Sequence, residues 1–206
     1  MTKRVYLFLL CTLFLILTGC KETPSPETQE HTPGPLPENS LYQLEGEWET
    51  GAGEKVALAD FRGKVQMLSM IYTTCQGACP RIVADMKALQ EAMSEQTGGE
   101  IEFLLVTMDP ENDNPEALQR FAEEQRLGPE WRLVRGSENQ TQEISAVLNS
   151  KYRKLEGSTD FAHSNLITIL NKDGVIIHQQ EGLGVPVEGG VEVLEGLVTG
   201  TAPCCQ

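Results

Sequence analysis

Two thiols and one imidazole carry the chemistry this chain has to offer. Cys75 and Cys79 stand four residues apart in Tyr72-Thr-Thr-Cys75-Gln-Gly-Ala-Cys79-Pro80, directly after the apolar run Val65–Ile71. Pro80 predicts a helix opening at that point, because the N–H it lacks would find no intrahelical partner in a first turn. Cys75 is then expected on a strand-to-helix loop, and Cys79 at the helix mouth, where the N-terminal dipole favours a thiolate. Thiolates are nucleophiles and soft-metal ligands, so the pair serves either redox or copper chemistry. His163, in Asp160-Phe-Ala-His-Ser164, is the third candidate. Two thiolates and an imidazole are one protein ligand short of a closed structural zinc site. They suit copper, since thiolates favour Cu(I) and imidazole accepts either oxidation state. Spacing identifies no fourth ligand for Cu(II); water and Asp160 are the two guesses.

The elements that must position these groups alternate in type. Val65–Ile71 reads as a buried strand. Pro80–Met93 places Ile82, Val83, Met86, Leu89 and Met93 at helical spacing. Gly98-Gly99 then breaks the chain ahead of a second buried strand, Ile101–Met108. The turn-rich stretch Asp109–Pro115 leads into a helix over Glu116–Gln125, and Trp131–Val134 and Glu138–Asn149 read as a strand and a helix. Leu166–Leu170 and Val175–His178 flank Asn171-Lys-Asp-Gly174, a hairpin signal, and Val191–Leu197 forms a closing helix. Strands joined by helices, then a hairpin and a helix, predict an α/β, thioredoxin-like three-layer sandwich with a central mixed sheet. The segment Val56–Val65 resembles the edge element of its peroxiredoxin-like branch. In such a sheet reactive groups gather beyond the carboxyl ends of the strands. The loop ahead of Leu166 is expected to bring His163 against the loop carrying the cysteines.

The ordered set Tyr72-x-Thr-Cys75-x-x-x-Cys79-Pro80, Val106-Thr-Met-Asp109-Pro110-Glu-x-Asp113-x-Pro115 and His163-Ser164 ahead of Asp173-Gly174 resembles the Sco/SenC family. These are copper-handling proteins that assist assembly of the CuA centre of cytochrome c oxidase. The likeness spans roughly Leu58 to Ile177. It implies Cys75, Cys79 and His163 as copper ligands, copper as Cu(I) or Cu(II), and a cuproprotein client such as an oxidase subunit. It also implies a thioredoxin-like reductant for the thiols. Two features depart from the pattern: family members often carry an acidic residue directly before the histidine, where Ala162 stands, and the ending Cys204-Cys205-Gln206 has no counterpart.

Simpler readings stand beside these. The Cys75/Cys79 pair is also compatible with a structural disulfide, which would close too short a loop to constrain much of the unfolded chain. A thiol-disulfide oxidoreductase acting on partner cysteines is the enzyme alternative, although thioredoxins use a two-residue gap. A copper or redox sensor would use the same residues. Peroxidase chemistry is disfavoured, because Tyr72 and Gln76 stand where a peroxiredoxin motif has Pro and Thr. Asp109 and Asp113 read as turn and cap residues. Met67, Met70, Met86, Met93 and Met108 read as core, and His178 as a structural strand residue.

The ends of the chain bear on location. Lys3 and Arg4 followed by the apolar stretch Val5–Leu17 and by Leu17-Thr-Gly-Cys20 read as a lipoprotein signal peptide over residues 1–20, with Cys20 as the lipidated residue. The apolar stretch is shorter than the ~20 residues a spanning helix needs. This predicts a lipid-anchored protein on the extracytoplasmic side of a bacterial cell envelope, an oxidising compartment. Residues 21–41, with five prolines and His31, read as a disordered tether. Residues 42–203 then form the thioredoxin-like domain and 204–206 a Cys-containing tail. The formal charge is −14, which makes nucleic acid a poor partner.

Overall fold

The run Val65-Gln-Met-Leu-Ser-Met-Ile71 leaves no polar face for water. In the computed structural model, which describes residues 34–93 and 99–201, every residue of it is buried. A strand buried on both faces needs helices above and below the sheet, and that is the arrangement adopted. The strands are β1 (Trp48–Thr50), β2 (Lys55–Val56), β3 (Val65–Ile71), β4 (Ile101–Thr107), β5 (Trp131–Arg135), β6 (Tyr152–Lys154), β7 (Phe161–His163), β8 (Leu166–Leu170) and β9 (Ile176–Glu181). The helices are α1 (Ala78–Met93), α2 (Pro115–Glu124), α3 (Glu138–Val147) and α4 (Glu188–Thr199). Seven strands form one mixed sheet in the order β2-β1-β5-β4-β3-β8-β9, with β3, β4 and β5 parallel and β8 antiparallel to β3. Strands β6 and β7 pair only with each other. The fold is the expected thioredoxin-like α/β sandwich.

Right-handed crossovers from β3 to β4 and from β4 to β5 put α1 and α2 on one face, where Lys87 Nζ of α1 donates to the Gln125 carbonyl beyond α2. The return from β5 to β8 carries α3 to the other face. Adjacent residues of β9 show both layers. Gln179 donates to the Leu148 carbonyl after α3, whereas Gln180 is buried beside Gly190 of α4 and Leu89 of α1. Helices α2 and α3 start where their side chains cap them: Asn114 accepts from Ala117 N–H at 2.9 Å, and Ser137 and Gln140 form a reciprocal box. The β8–β9 turn is built as its sequence requires. Gly174 has φ +78, and a Cβ there would lie 2.6 Å from the Tyr42 ring.

The five candidate core methionines are all buried. In the parallel β4/β5 register Phe103 opposes Trp131, and their rings stack with centroids 4.4 Å apart. The packed region starts earlier than composition suggests. Leu41 is fully buried, Ser40 caps the 3₁₀ turn Leu41–Gln43, and Arg62 Nη1 donates to the Gly34 carbonyl. A proline-rich average hides single apolar anchors such as Leu41. The leader 1–20 with Cys20, His31 and the Cys204–Cys205 tail lie outside the described residues. Among the described residues, no helix is long and apolar enough to cross a membrane.

Candidate metal centre

Strand β3 ends at Ile71, and after six intervening residues α1 begins at Ala78, two positions ahead of the start expected from Pro80. Cys79 therefore lies inside the first turn of the helix and Cys75 on the loop before it. The two thiols are free and not joined to each other. Cys79 N–H donates to Cys75 Sγ at 3.3 Å, so the Cys75 sulfur occupies the place of a capping acceptor at the helix entrance. Cys75 is 7% exposed and Cys79 is wholly covered.

This geometry reverses the expected roles of the two sulfurs. Burial pushes the Cys79 thiol far above its usual range, and the neighbouring Cys75 sulfur and Asp113 carboxylate add to that. Burial also pushes the Cys75 thiol up, but hydrogen bonds to its sulfur from Cys79, Gly77 and Tyr72 outweigh it and hold the thiol below its usual value. The helix entrance favours a thiolate at Cys75, not at Cys79 as the position of Pro80 suggests.

His163 reaches the thiols by a route that sequence periodicity did not show. It is the last residue of β7, paired with Tyr152 of β6, and the hairpin is closed at its base by Ser164 N–H donating to the Lys151 carbonyl at 2.8 Å. Three-residue strands give no periodic signal. The turn cluster Glu156-Gly-Ser-Thr-Asp160, with Gly157 at φ +70, was the available clue. His163 Nδ1 lies 2.9 Å from the Ser164 carbonyl oxygen. A carbonyl only accepts, so Nδ1 carries the proton and Nε2 presents its lone pair.

One ligand atom from each of Cys75, Cys79 and His163 lies within 4.8 Å of the others. Among the described residues this is the one group of three or more Cys, His and acidic side chains close enough to hold a metal ion. The set fits a soft, low-coordinate cation: two sulfurs, one imidazole nitrogen, no closed fourth position. Tyr72 fastens the hairpin to the thiol loop. Its ring packs against Phe161 at 5.0 Å and edge-on to His163 at 6.0 Å, and its hydroxyl lies 3.4 Å from Asp160 Oδ1. Burial, above all, pushes its phenol up, and the adjacent Cys75 sulfur contributes. Asp160 lines the cavity of about 660 Å³ over Cys75 and His163 but is not in the close group. Ala162, directly before His163, is exposed.

Asp109 opens the turn as expected, its carbonyl accepting from Asn112 N–H at 3.1 Å and Asp113 N–H at 2.9 Å, but Asp113 does different work from the cap expected. The cap of α2 is Asn114. Asp113 is 1% exposed and its carboxylate accepts from Thr73 N–H at 3.0 Å, from Thr73 Oγ1 at 2.5 Å and from Thr107 Oγ1. Asp109 is buried and is held by the Asn112 amide. It borders a cleft of about 960 Å³ between α3 and the β6–β7 hairpin, which meets the thiol cavity at Phe161.

Comparison with known proteins agrees with this architecture. The SCO1 protein homolog of Bacillus subtilis is 27% identical over 134 residues, 64% of this chain and 69% of that protein. A SCO1/SenC family lipoprotein from Bacillus anthracis superposes with a TM-score of 0.67 at 24% identity, covering 74% of this chain and 92% of that one. Arabidopsis thaliana ScoI, solved with copper bound, superposes at 0.66 and 17% identity over 75% of this chain and 96% of its own. The sequence pattern of SCO1/SenC matches residues 39–188, which include both cysteines, His163 and all nine strands, and the chain belongs to the SCO1/SenC family.

Proposed function

We propose that this protein is a copper chaperone of the cell envelope. It binds one copper ion through Cys75 Sγ, Cys79 Sγ and His163 Nε2 and passes it to a cuproenzyme such as the CuA centre of cytochrome c oxidase. The convergence of those three side chains within 4.8 Å carries the reading. Copper bound to a Sco relative of the same fold supports the choice of metal. Cys75, already favoured as a thiolate, meets the cation first. Cys79 gives up its proton only when a positive charge arrives to replace it, so loading releases protons. An open fourth position lets a client thiolate enter before Cys75 and Cys79 let go. Attachment through a lipid on Cys20, on the extracytoplasmic side, rests on the Leu17-Thr-Gly-Cys20 pattern and on the lipoprotein relative. The test is transfer: incubating the reduced, Cu(I)-loaded protein with an apo CuA domain, separating the two and then oxidising the domain by one electron with ferricyanide, is expected to generate the CuA absorption bands. Retention of all copper on this chain would refute delivery.

The contrast between the two sulfurs favours a second reading, thiol-disulfide exchange. Cys75 thiolate would attack a partner's disulfide, forming a mixed disulfide and expelling one partner thiolate. Cys79, deprotonated as the expelled thiolate takes up a proton, would then attack Cys75 Sγ and release the second partner thiol. Two electrons pass to the partner and a Cys75–Cys79 disulfide remains, which a thioredoxin-like reductant must reset. In that case the transfer assay fails while disulfide reduction succeeds.

A further inference from the structure

Asp113 is a buried carboxylate that neither helix capping nor the metal group uses. Burying such a group is costly unless every oxygen finds donors. Its donors are unusual in their placing: Thr73 stands just past β3, and Thr107 is the last residue of β4. The parallel β3/β4 ladder closes with Met108 N–H donating to the Ile71 carbonyl at 2.7 Å. The next inward-facing donor, Thr73 N–H, takes an Asp113 oxygen instead of a strand carbonyl. The carboxylate thus adds one rung to the ladder, exactly two residues before Cys75. Beyond that rung the loop is held by Cys75 N–H to the Tyr72 carbonyl at 3.2 Å and by Cys79 N–H to Cys75 Sγ.

We infer that Asp113 is the positioning residue of the thiol site: by gripping Thr73 it fixes where Cys75 Sγ stands relative to Cys79 and His163. The inference rests on Cys75, Cys79 and His163 being the working site, whether the work is copper transfer or thiol exchange. Cys79 is anchored by helix α1 and His163 by the β6–β7 hairpin, so Cys75 is the member whose place depends on the loop.

The test compares Asp113→Ala, Asp113→Asn, Thr73→Val and Thr73→Ser in the reduced, metal-free protein. Thr141→Val serves as a control that deletes a buried hydroxyl, bonded to the Ser137 carbonyl at 3.0 Å, far from the thiols. Iodoacetamide labelling followed by mass spectrometry gives the ratio of Cys75 to Cys79 alkylation. Asp113→Ala removes the rung itself and Thr73→Val removes the hydroxyl bond that backs it, so in both the hydrogen bonds that hold the Cys75 sulfur loosen and Cys79 opens. The ratio should fall about tenfold in Asp113→Ala and in Thr73→Val, the worth of one bond to a charged group. Thr73→Ser keeps the hydroxyl and Asp113→Asn keeps an acceptor for Thr73 N–H, so both should stay near wild type. Thr141→Val should lower the melting temperature and leave the ratio unmoved. Ratios in Thr73→Val within twofold of wild type, with only the melting temperature changed, would overturn the inference; that variant decides the matter even if Asp113→Ala fails to fold. Adding Cu(II) and reading the sulfur-to-copper charge-transfer band separates the two claims. A wild type with no band but with the expected labelling pattern would remove copper and leave Asp113 in its role.

Discussion

The backbone N–H of Cys79 donates to the sulfur of Cys75 at 3.3 Å, so one cysteine caps the helix that carries the other. The same bond that lowers the Cys75 thiol also commits Cys79 to the interior, where burial pushes its thiol up. Two residues with one side chain chemistry thereby acquire opposite properties.

That asymmetry predicts unequal reactivity in the metal-free, reduced protein. At neutral pH Cys75 should be alkylated at least about tenfold faster than Cys79, because the thiolate is the nucleophile and Cys79 is both protonated and covered. Mass spectrometry of partially labelled protein measures it. Equal labelling would contradict the placing of the two sulfurs.

Tyr72 has one hydroxyl proton and two acceptors beside it, the Cys75 sulfur and the Asp160 carboxylate. Tyr72→Phe keeps the ring packed against Phe161 and removes that donor. The Cys75 thiol should rise and its alkylation at neutral pH should slow roughly three- to tenfold, the range for one hydrogen bond. The labelling rate as a function of pH checks it: the curve should move to higher pH, and an unmoved curve would mean the hydroxyl serves Asp160 alone.

Asp113 gives a pH dependence of stability with a definite sign. Burial, then the charge of Asp109, pushes its carboxyl above the ordinary value, although bonds from Thr107 and Thr73 oppose this. A folded state that holds the proton more tightly than the unfolded chain gains stability on acidification and loses it as pH rises through the folded value. Relative to Asp113→Asn, the wild type should therefore be most stable at acid pH and lose ground toward neutrality. Urea denaturation of both proteins at a series of pH values measures the difference, and a difference that grows with pH would reverse the assignment.

Much of this was legible in the residues themselves. Val65–Ile71 and Ile101–Met108 are so uniformly apolar that only a doubly covered sheet accommodates them, and the convergence of Cys75, Cys79 and His163 was expected before any coordinates. The division of labour between the thiols was not. It depends on α1 starting at Ala78 instead of Pro80, a shift of two residues that moves the dipole's beneficiary from Cys79 to Cys75. Asp113 was misread because Asp-x-Pro ahead of a helix is ordinary cap chemistry; its grip on Thr73 is a contact across two strand ends that no local spacing encodes. The β6–β7 hairpin escaped notice because its strands are too short to show alternation.

Replacing Ser137 by Ala removes the cap and the box partner of Gln140 at the start of α3. A loss of about 1 kcal/mol is expected, readable as a lower urea midpoint, with thiol labelling unchanged. A labelling change would show that α3 and the thiol loop are more tightly linked than their separate hydrogen bonds indicate.

The most direct measurement is a copper titration of the reduced protein with Cys204 and Cys205 replaced by serine, beside Cys75→Ser, Cys79→Ser and His163→Ala in the same background. One tight equivalent is expected, lost with either cysteine. In His163→Ala, Cu(II) should weaken more than Cu(I), because two thiolates still satisfy the softer ion. Tight binding that survives removal of Cys75 or Cys79, or equal loss of both oxidation states in His163→Ala, would contradict the three-ligand site.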